Sequence, residues 1–209
     1  MKKSPVLIFD FDGTIADTFH YLLRIGNRLS EEFHFKKIAP DEVEDMKDMN
    51  VQEIIHHLKI PLLKVPMIVA KAKKELHKEI ESVQPIQDLK EILLKIKSLG
   101  IKMGIFTSNS SKNVLGFLKN NELDLFDFIY TTSKIWSKNW GLQSLMDEND
   151  LDSSEVIYVG DETRDIEAAQ KAGIRCAAVT WGYNSHKALQ AQHPDYLLHS
   201  PEELLQLFV

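Results

Sequence analysis

The sequence predicts an α/β fold in which a mainly parallel sheet lies between two layers of helices, with a small helical domain inserted after the first strand. Three observations support this prediction. Short apolar runs recur along the chain, amphipathic helical patterns separate them, and the region of about 16–83 shows helical patterns without a convincing strand. Strands that alternate with helices favour right-handed crossovers and a parallel sheet covered on both faces.

Five short apolar runs are the predicted strands. A parallel sheet with helices on both faces buries its strands completely, so its strands are continuous apolar runs. The runs are Val6–Phe9, Met103–Phe106, Phe128–Tyr130, Val156–Val159 and Arg175–Thr180. We therefore expect these segments to form the centre of the sheet.

Helical patterns lie between the predicted strands. Apolar residues recur at spacings of three and four from Leu89 to Leu99, and Gly100 follows as a stop signal. Shorter helices are predicted around Leu115–Leu118, Leu142–Met146 and Asp165–Ala172. These helices would connect the strands and cover both faces of the sheet.

The segment after the first strand differs from the rest of the chain. Apolar residues from Phe19 to Leu29 lie on one helical face, and a second face runs from Val65 to Ile80. Pro61 and Pro66 mark a break between the two patterns. We predict a core formed by residues 1–15 and 84–209 and a helical domain formed by residues 16–83.

Composition excludes several classes of function. The formal net charge of −6 argues against a nucleic-acid-binding surface, which needs a basic patch. Cys176 is the only cysteine, so we expect no disulfide framework and no cysteine-rich zinc site, and a reducing cytoplasm is the expected compartment. No window approaches the roughly 18 apolar residues of a membrane-spanning helix. The acidic balance still allows a local positive pocket that binds an anion.

Polar side chains follow four of the predicted strands, where each strand ends. In an open parallel sheet, ligands bind at the carboxyl ends of the strands, so these residues are expected at one edge. They are Asp10 and Asp12 after the first strand, Thr107, Ser108 and Asn109 after the second, Lys134 and Lys138 after the third, and Asp161, Glu162 and Asp165 after the fourth.

The residue types in this set suit phosphoryl transfer. Clustered carboxylates repel one another unless a cation binds between them, and a set of hard oxygen ligands favours Mg²⁺. Asp10 is a candidate nucleophile, because a carboxylate can form an aspartyl-phosphate. Asp12, which points to the same side of an extended segment, is a candidate general acid and base. The Thr107 hydroxyl, backbone N–H groups and a lysine would bind the other phosphate oxygens.

Four short motifs carry a resemblance to a known family. "DFDGT", "TSN", a later lysine and "GDETRD" resemble the motifs of the haloacid dehalogenase-like superfamily, in its phosphatase branch. "GDETRDIEAAQKAGI" and "VTWGYNS" are most similar to the phosphoglycolate phosphatase-like hydrolases. The resemblance covers nearly the whole chain. It implies a Rossmann-like core and identifies residues 16–83 as a cap domain.

The resemblance also implies a role for each matching residue. Asp10 would attack phosphorus, and Asp12 would be the acid and base. The metal would be held by Asp10, the backbone carbonyl of Asp12 and Asp161. Asp165 would bind the metal through water or orient another ligand.

The other motifs imply the contacts to the substrate. Thr107 would bind the phosphoryl group with the Ser108 amide, and Asn109 would belong to the same substrate-binding turn. Lys138 would neutralise Asp10 and the phosphate, and Lys134 is the alternative for this lysine.

The leading hypothesis is a Mg²⁺-dependent phosphatase that acts on a small phosphomonoester, with phosphoglycolate-like substrates suggested by the resemblance. Asp12 favours an ester over an organic halide, because a departing halide needs no proton. Two alternatives stay open: a sugar phosphomutase on the same scaffold and a non-catalytic binding module. The expected partner is a small phosphate ester, with no nucleic acid and no membrane. The sequence does not decide between monomer and homodimer.

Two further groups of residues in the inserted segment are expected to be structural. His56, His57 and His77 lack the carboxylate or cysteine spacing of a zinc site. The basic residues of Lys71–Lys74, with glutamates nearby, are typical of a solvated helix face.

Overall fold

The structure is a computed structural model that describes residues 5–132 and 138–208. Its centre is a six-stranded sheet of order β3-β2-β1-β4-β5-β6 in which every neighbouring pair is parallel. The strands are β1 (Val6–Phe9), β2 (Met103–Thr107), β3 (Phe128–Thr131), β4 (Val156–Gly160), β5 (Arg175–Val179) and β6 (Tyr196–Leu198). The predicted α/β fold is confirmed. β6 was not predicted, because a three-residue strand is too short to give a pattern.

Helices fill the connections between the strands. They are α1 (Phe19–Phe33), α2 (Val43–Met46), α3 (Val51–His57), α4 (Val65–Glu79), α5 (Leu89–Ser98), α6 (Ser111–Asn120), α7 (Lys138–Glu148), α8 (Thr163–Ala172) and α9 (His186–Gln190). Short 3-10 segments occupy Pro40–Glu42, Leu62–Lys64, Ile80–Ser82 and Pro201–Phe208. Among the described residues, no helix is both long and apolar enough to cross a membrane.

The central strand β1 divides the core into two layers. Leu7 and Phe9 join one apolar cluster with residues of α5 and α6, whereas Val6 and Ile8 join the opposite cluster with residues of α7 and α8. All four side chains are buried, as expected for a parallel strand that is covered on both faces. The chain leaves β1 between the two layers, so the residue after Phe9 emerges at the carboxyl edge of the sheet.

Helices α1 to α4 all lie in the predicted insert, and residues 16–83 contain no strand. The insert leaves and re-enters the core at adjacent positions, where the Asp17 N–H donates to the Gln84 carbonyl and the Ile86 N–H donates to the Ile15 carbonyl, both at 2.9 Å. α1 packs on α4, and α4 packs on α6 of the core. The exact domain bounds stay a prediction.

A second connection joins the insert to the loop after β5. The side-chain amide of Asn184 donates to the carbonyls of Lys47 at 2.8 Å and Met49 at 3.0 Å. The Ser185 N–H donates to the same Lys47 carbonyl at 2.9 Å. The insert is therefore attached to the core on two sides, and it lies beside the carboxyl edge of the sheet.

Candidate active site

Three predicted carboxylates meet at the carboxyl edge of the sheet. Asp10 follows β1, Asp161 follows β4, and Asp165 lies in the first turn of α8. All three are buried, and oxygen atoms from the three carboxylates lie within 4.8 Å of one another. Three carboxylates without a nitrogen or sulfur ligand form a donor set that suits a hard divalent cation such as Mg²⁺.

The electrostatics of this cluster also fit a bound cation. Burial raises the pKa of Asp161 well above its ordinary value, and the negative charges of Glu162, Asp165 and Asp10 add to the effect. Burial raises the pKa of Asp165 to about 6, although the positive charge of Lys138 opposes that shift. A divalent cation between these groups would stabilise their ionised forms.

Lys138 lies at the start of α7 and is the cation that the structure places in the cluster. Its ammonium donates to an Asp10 oxygen at 2.5 Å, to Asp165, and to the Tyr158 hydroxyl at 3.3 Å. Burial opposes the charge of Lys138, but Asp10 and Asp165 outweigh burial and raise its pKa above the ordinary value. The alternative, Lys134, lies outside the described residues.

Two groups that the sequence analysis did not identify orient Asp161. The Thr14 hydroxyl donates to one Asp161 oxygen at 2.6 Å, and the Tyr183 N–H donates to the other at 2.8 Å. Gly13, which has a φ of +77°, and Gly182 both approach the Asp161 side chain so closely that a Cβ would collide with it. The rule that ligands bind at strand ends could have identified Tyr183, because it follows β5 at the same edge.

Asp12 lies beside this cluster and is held by Asn109. The side-chain amide of Asn109 donates to both Asp12 oxygens, at 3.0 and 2.9 Å. Burial and the negative charge of Asp10 raise the pKa of Asp12 to about 7, although hydrogen bonds from Thr18 and Asn109 oppose the shift. A carboxyl group with a pKa near neutrality is suited both to donate and to accept a proton.

The "TSN" residues are at the same edge but differ in their contacts. Thr107 is buried, and its hydroxyl oxygen accepts a hydrogen bond from the Asn109 N–H at 3.0 Å. Ser108 is half-buried. The Asn109 amide is directed at Asp12, a contact that the sequence did not indicate. Their assignment as substrate contacts stays a prediction.

Lys73 differs from its neighbour Lys71 in its contacts. It is half-buried on α4, and within the described ranges its ammonium has no hydrogen-bond or ion-pair partner. Burial lowers its pKa, while the charge of Asp12 favours its protonated form. Lys71, by contrast, pairs with Glu32 at the surface. Lys73 lies beside the packing of α4 against α6, where its carbonyl accepts from the Asn113 amide at 3.0 Å.

Comparisons with known proteins agree with this arrangement. The family model described as haloacid dehalogenase-like hydrolase matches residues 7–179. The chain is 31% identical over 201 residues to a phosphoglycolate phosphatase from Synechococcus elongatus, covering 96% of this chain and 95% of the relative. It is 26% identical over 212 residues to the pyrophosphatase PpaX of Bacillus mycoides, and the match covers 99% of this chain and 97% of that relative.

A solved structure is similar over the same length. A haloacid dehalogenase-like family protein from Streptococcus pneumoniae superposes with a TM-score of 0.84 at 22% identity, covering 100% of each chain. At that identity the match supports the fold alone. The sequence and structural matches both extend over almost the entire chain.

Proposed function

This chain belongs to the haloacid dehalogenase-like hydrolase family and is a phosphoric monoester hydrolase, and we propose that it is a Mg²⁺-dependent phosphatase that forms an aspartyl-phosphate on Asp10. One observation carries the proposal. Asp10 is buried in contact with Lys138, within 4.8 Å of Asp161 and Asp165, and Asp12 follows two residues later. These are the nucleophile, the cation and the acid that two-step hydrolysis of a phosphate ester requires.

In the first step, an Asp10 oxygen attacks phosphorus and the bond to the ester oxygen breaks. Asp12 gives its proton to that oxygen, so the oxygen leaves as a hydroxyl group and not as an alkoxide. The Lys138 ammonium donates to an Asp10 oxygen at 2.5 Å, so it orients the Asp10 carboxylate before the attack. Thr107 and Ser108, which follow β2 at the same edge, would bind the phosphoryl oxygens.

In the second step, water attacks the phosphorus of the aspartyl-phosphate and the bond to Asp10 breaks. Asp12 accepts the proton of that water, which restores both aspartates and releases inorganic phosphate. The metal would be held by Asp10, Asp161 and the Asp12 carbonyl, and it would neutralise charge on the phosphate and the carboxylates. Asp165 accepts hydrogen bonds from Lys138 and from the Glu162 N–H, which supports an orienting role.

The substrate class follows from the insert, which we propose is a cap over the site. Lys73 has no partner for its ammonium among the described residues, and its backbone contacts the Asn113 amide, which leads through Asn109 to Asp12. The charge of Asp12 favours the protonated form of Lys73, which places this lysine on the side where the leaving group would lie. An anionic group on the leaving alcohol would pair with this ammonium. The two relatives are named for phosphoglycolate and pyrophosphate, and both compounds have an anionic leaving group. We therefore propose a small phosphate ester of the phosphoglycolate type.

Phosphate release from a panel of small esters tests the proposed reaction. We expect release that requires Mg²⁺, stops when a chelator is added and returns when Mg²⁺ is restored. Phosphoglycolate and pyrophosphate should be better substrates than esters with a neutral leaving group. Release that is insensitive to chelation would contradict the metal requirement. A phosphorylated protein that is stable in water but passes its phosphate to a sugar would instead favour the phosphomutase.

Substitution of Lys73 tests the proposed substrate class. Lys73→Gln should lower kcat/KM for phosphoglycolate by about 10- to 100-fold, because a hydrogen bond to a charged group is lost. The value for p-nitrophenyl phosphate, which has no second anionic group, should change by less than about threefold. Lys71→Gln is the matched control on the same helix, and it should change neither value. Equal losses on both esters in Lys73→Gln would contradict the assignment.

A further inference from the structure

A buried chain of side-chain amides connects Asp12 to the inserted helix α4. Asn109 donates to Asp12, and the Asn109 carbonyl oxygen accepts a hydrogen bond from the Asn113 amide at 2.9 Å. Asn113 is fully buried in the first turn of α6, and its carbonyl oxygen lies 2.9 Å from Nδ1 of His77 on α4. Two side chains, those of Asn109 and Asn113, therefore connect the acid to His77 on the insert.

Backbone groups determine the direction of every hydrogen bond in this chain. The Lys73 carbonyl can only accept, and it lies 3.0 Å from the nitrogen of the Asn113 side chain. The Ser110 N–H can only donate, and it lies 2.7 Å from the oxygen of the Asn109 side chain. Both amides are thus oriented with their NH₂ groups towards Asp12, and Nδ1 of His77 must donate to Asn113.

This common direction has a consequence for Asp12. Hydrogen bonds that point the same way polarise one another, so the donor that reaches a carboxylate is strengthened by those behind it. The chain also limits the position of Asn109, because each end of its side-chain amide has a partner. Helix α4 adds to this restraint, because its Lys73 carbonyl and His77 hold the Asn113 amide that donates to Asn109.

We propose that Asn113 is a positioning residue that aligns Asp12 through Asn109 and makes that alignment depend on contact with helix α4. The inference rests on the proposed role of Asp12 as the acid. It assigns a function to His77, which the sequence placed among structural histidines. When the insert moves away from α6, Asn113 loses two partners and Asp12 loses its fixed orientation.

The test compares phenyl phosphate with p-nitrophenyl phosphate, two esters of similar size whose leaving groups differ in how much they require protonation by a general acid. Phenolate is a stronger base than p-nitrophenolate, so phenyl phosphate depends more on proton donation by Asp12. Neither ester has a second anionic group that would involve Lys73. The constant to measure is kcat/KM, because it reports the first irreversible step and excludes the later hydrolysis of the phosphoenzyme.

Asn113→Leu should lower kcat/KM for phenyl phosphate about tenfold more than for p-nitrophenyl phosphate. Asp12→Asn is the reference, and it should show the same imbalance more strongly. Asn121→Leu is the matched control, because Asn121 is another buried asparagine at the end of α6 whose amide donates to the Val83 and Phe117 carbonyls. Its substitution should leave the ratio of the two constants unchanged.

His77→Ala, at a half-buried position, provides a second variant if Asn113→Leu does not fold, and it should shift the ratio about threefold in the same direction. The positioning role would be overturned if folded Asn113→Leu lowered kcat/KM equally for both esters. It would also be overturned if His77→Ala left the ratio of the two kcat/KM values unchanged. If Asp12→Asn itself lowered kcat/KM equally for both esters, the acid role of Asp12 in the proposed function would be refuted. The two failures are therefore distinguishable.

Discussion

Asp10→Asn is expected to lower phosphate release by roughly 10⁴-fold or more, the largest loss that we predict for a single substitution. A neutral amide is a poor nucleophile and cannot form the acyl phosphate on which both steps depend. The substitution keeps the size of the side chain, and its oxygen can still accept from the Phe11 N–H, which now donates to Asp10 at 2.7 Å. The loss should therefore occur in a folded protein.

Two measurements make this prediction specific. Rapid quenching with a ³²P-labelled ester should trap a phosphoenzyme in the wild type and none in Asp10→Asn. Asp124→Asn is the control for the chemical change, because Asp124 is exposed and far along the chain from the motifs. Full turnover by Asp10→Asn would refute the covalent mechanism, whatever the behaviour of the metal.

Lys138→Met is expected to lower both the free energy of unfolding and the activity. The substitution removes a buried ammonium that contacts Asp10 and Asp165, which are themselves buried. Removal of one partner from a buried ion pair typically costs about 3–5 kcal/mol, because the remaining charge has neither water nor a counterion. Turnover should fall by at least about 100-fold, because the charges of Asp10 and the phosphate would no longer be balanced.

Urea unfolding in the presence of chelator measures the stability effect of Lys138→Met. The double variant Lys138→Met with Asp165→Asn should recover part of the lost stability, because it also removes one of the uncompensated carboxylates. It should not recover activity. Lys119→Met, at an exposed position in α6, is the matched control and should unfold like the wild type. Unchanged unfolding of Lys138→Met would contradict the role of Lys138 in the cluster.

Much of the fold could be predicted because of how a parallel sheet is buried. Strands covered on both faces are continuous apolar runs, so β1 was predicted with the bounds that it has, and β2 to β5 were predicted within one residue at each end. The strand β6 and the short helices α2, α3 and α9 were not predicted. Segments of three to seven residues make few contacts of their own and span no more than about two helical turns, so their periodicity is weak.

The meeting of the four motifs at one edge could also be predicted, because sheet topology brings the carboxyl ends of parallel strands together. This rule is local, since it needs only the polar residues in the segment that follows each strand. Asp10, Asp161, Asp165 and Lys138 were therefore expected to be neighbours before the structure was known, and they are in contact or within a few ångströms of one another. Their chemical roles stay predictions.

The sequence by itself determined β1 to β5, the order of the motifs and the types of reactive group, because each depends on residues that are close together along the chain. Only the tertiary structure decided how these groups are oriented. The contact of Thr14 with Asp161 spans 147 positions, and that of Asn109 with Asp12 spans 97. The contact of the Lys73 carbonyl with Asn113 likewise depends on the packing of α4 against α6. No local pattern encodes such contacts, because they form only when distant elements pack together.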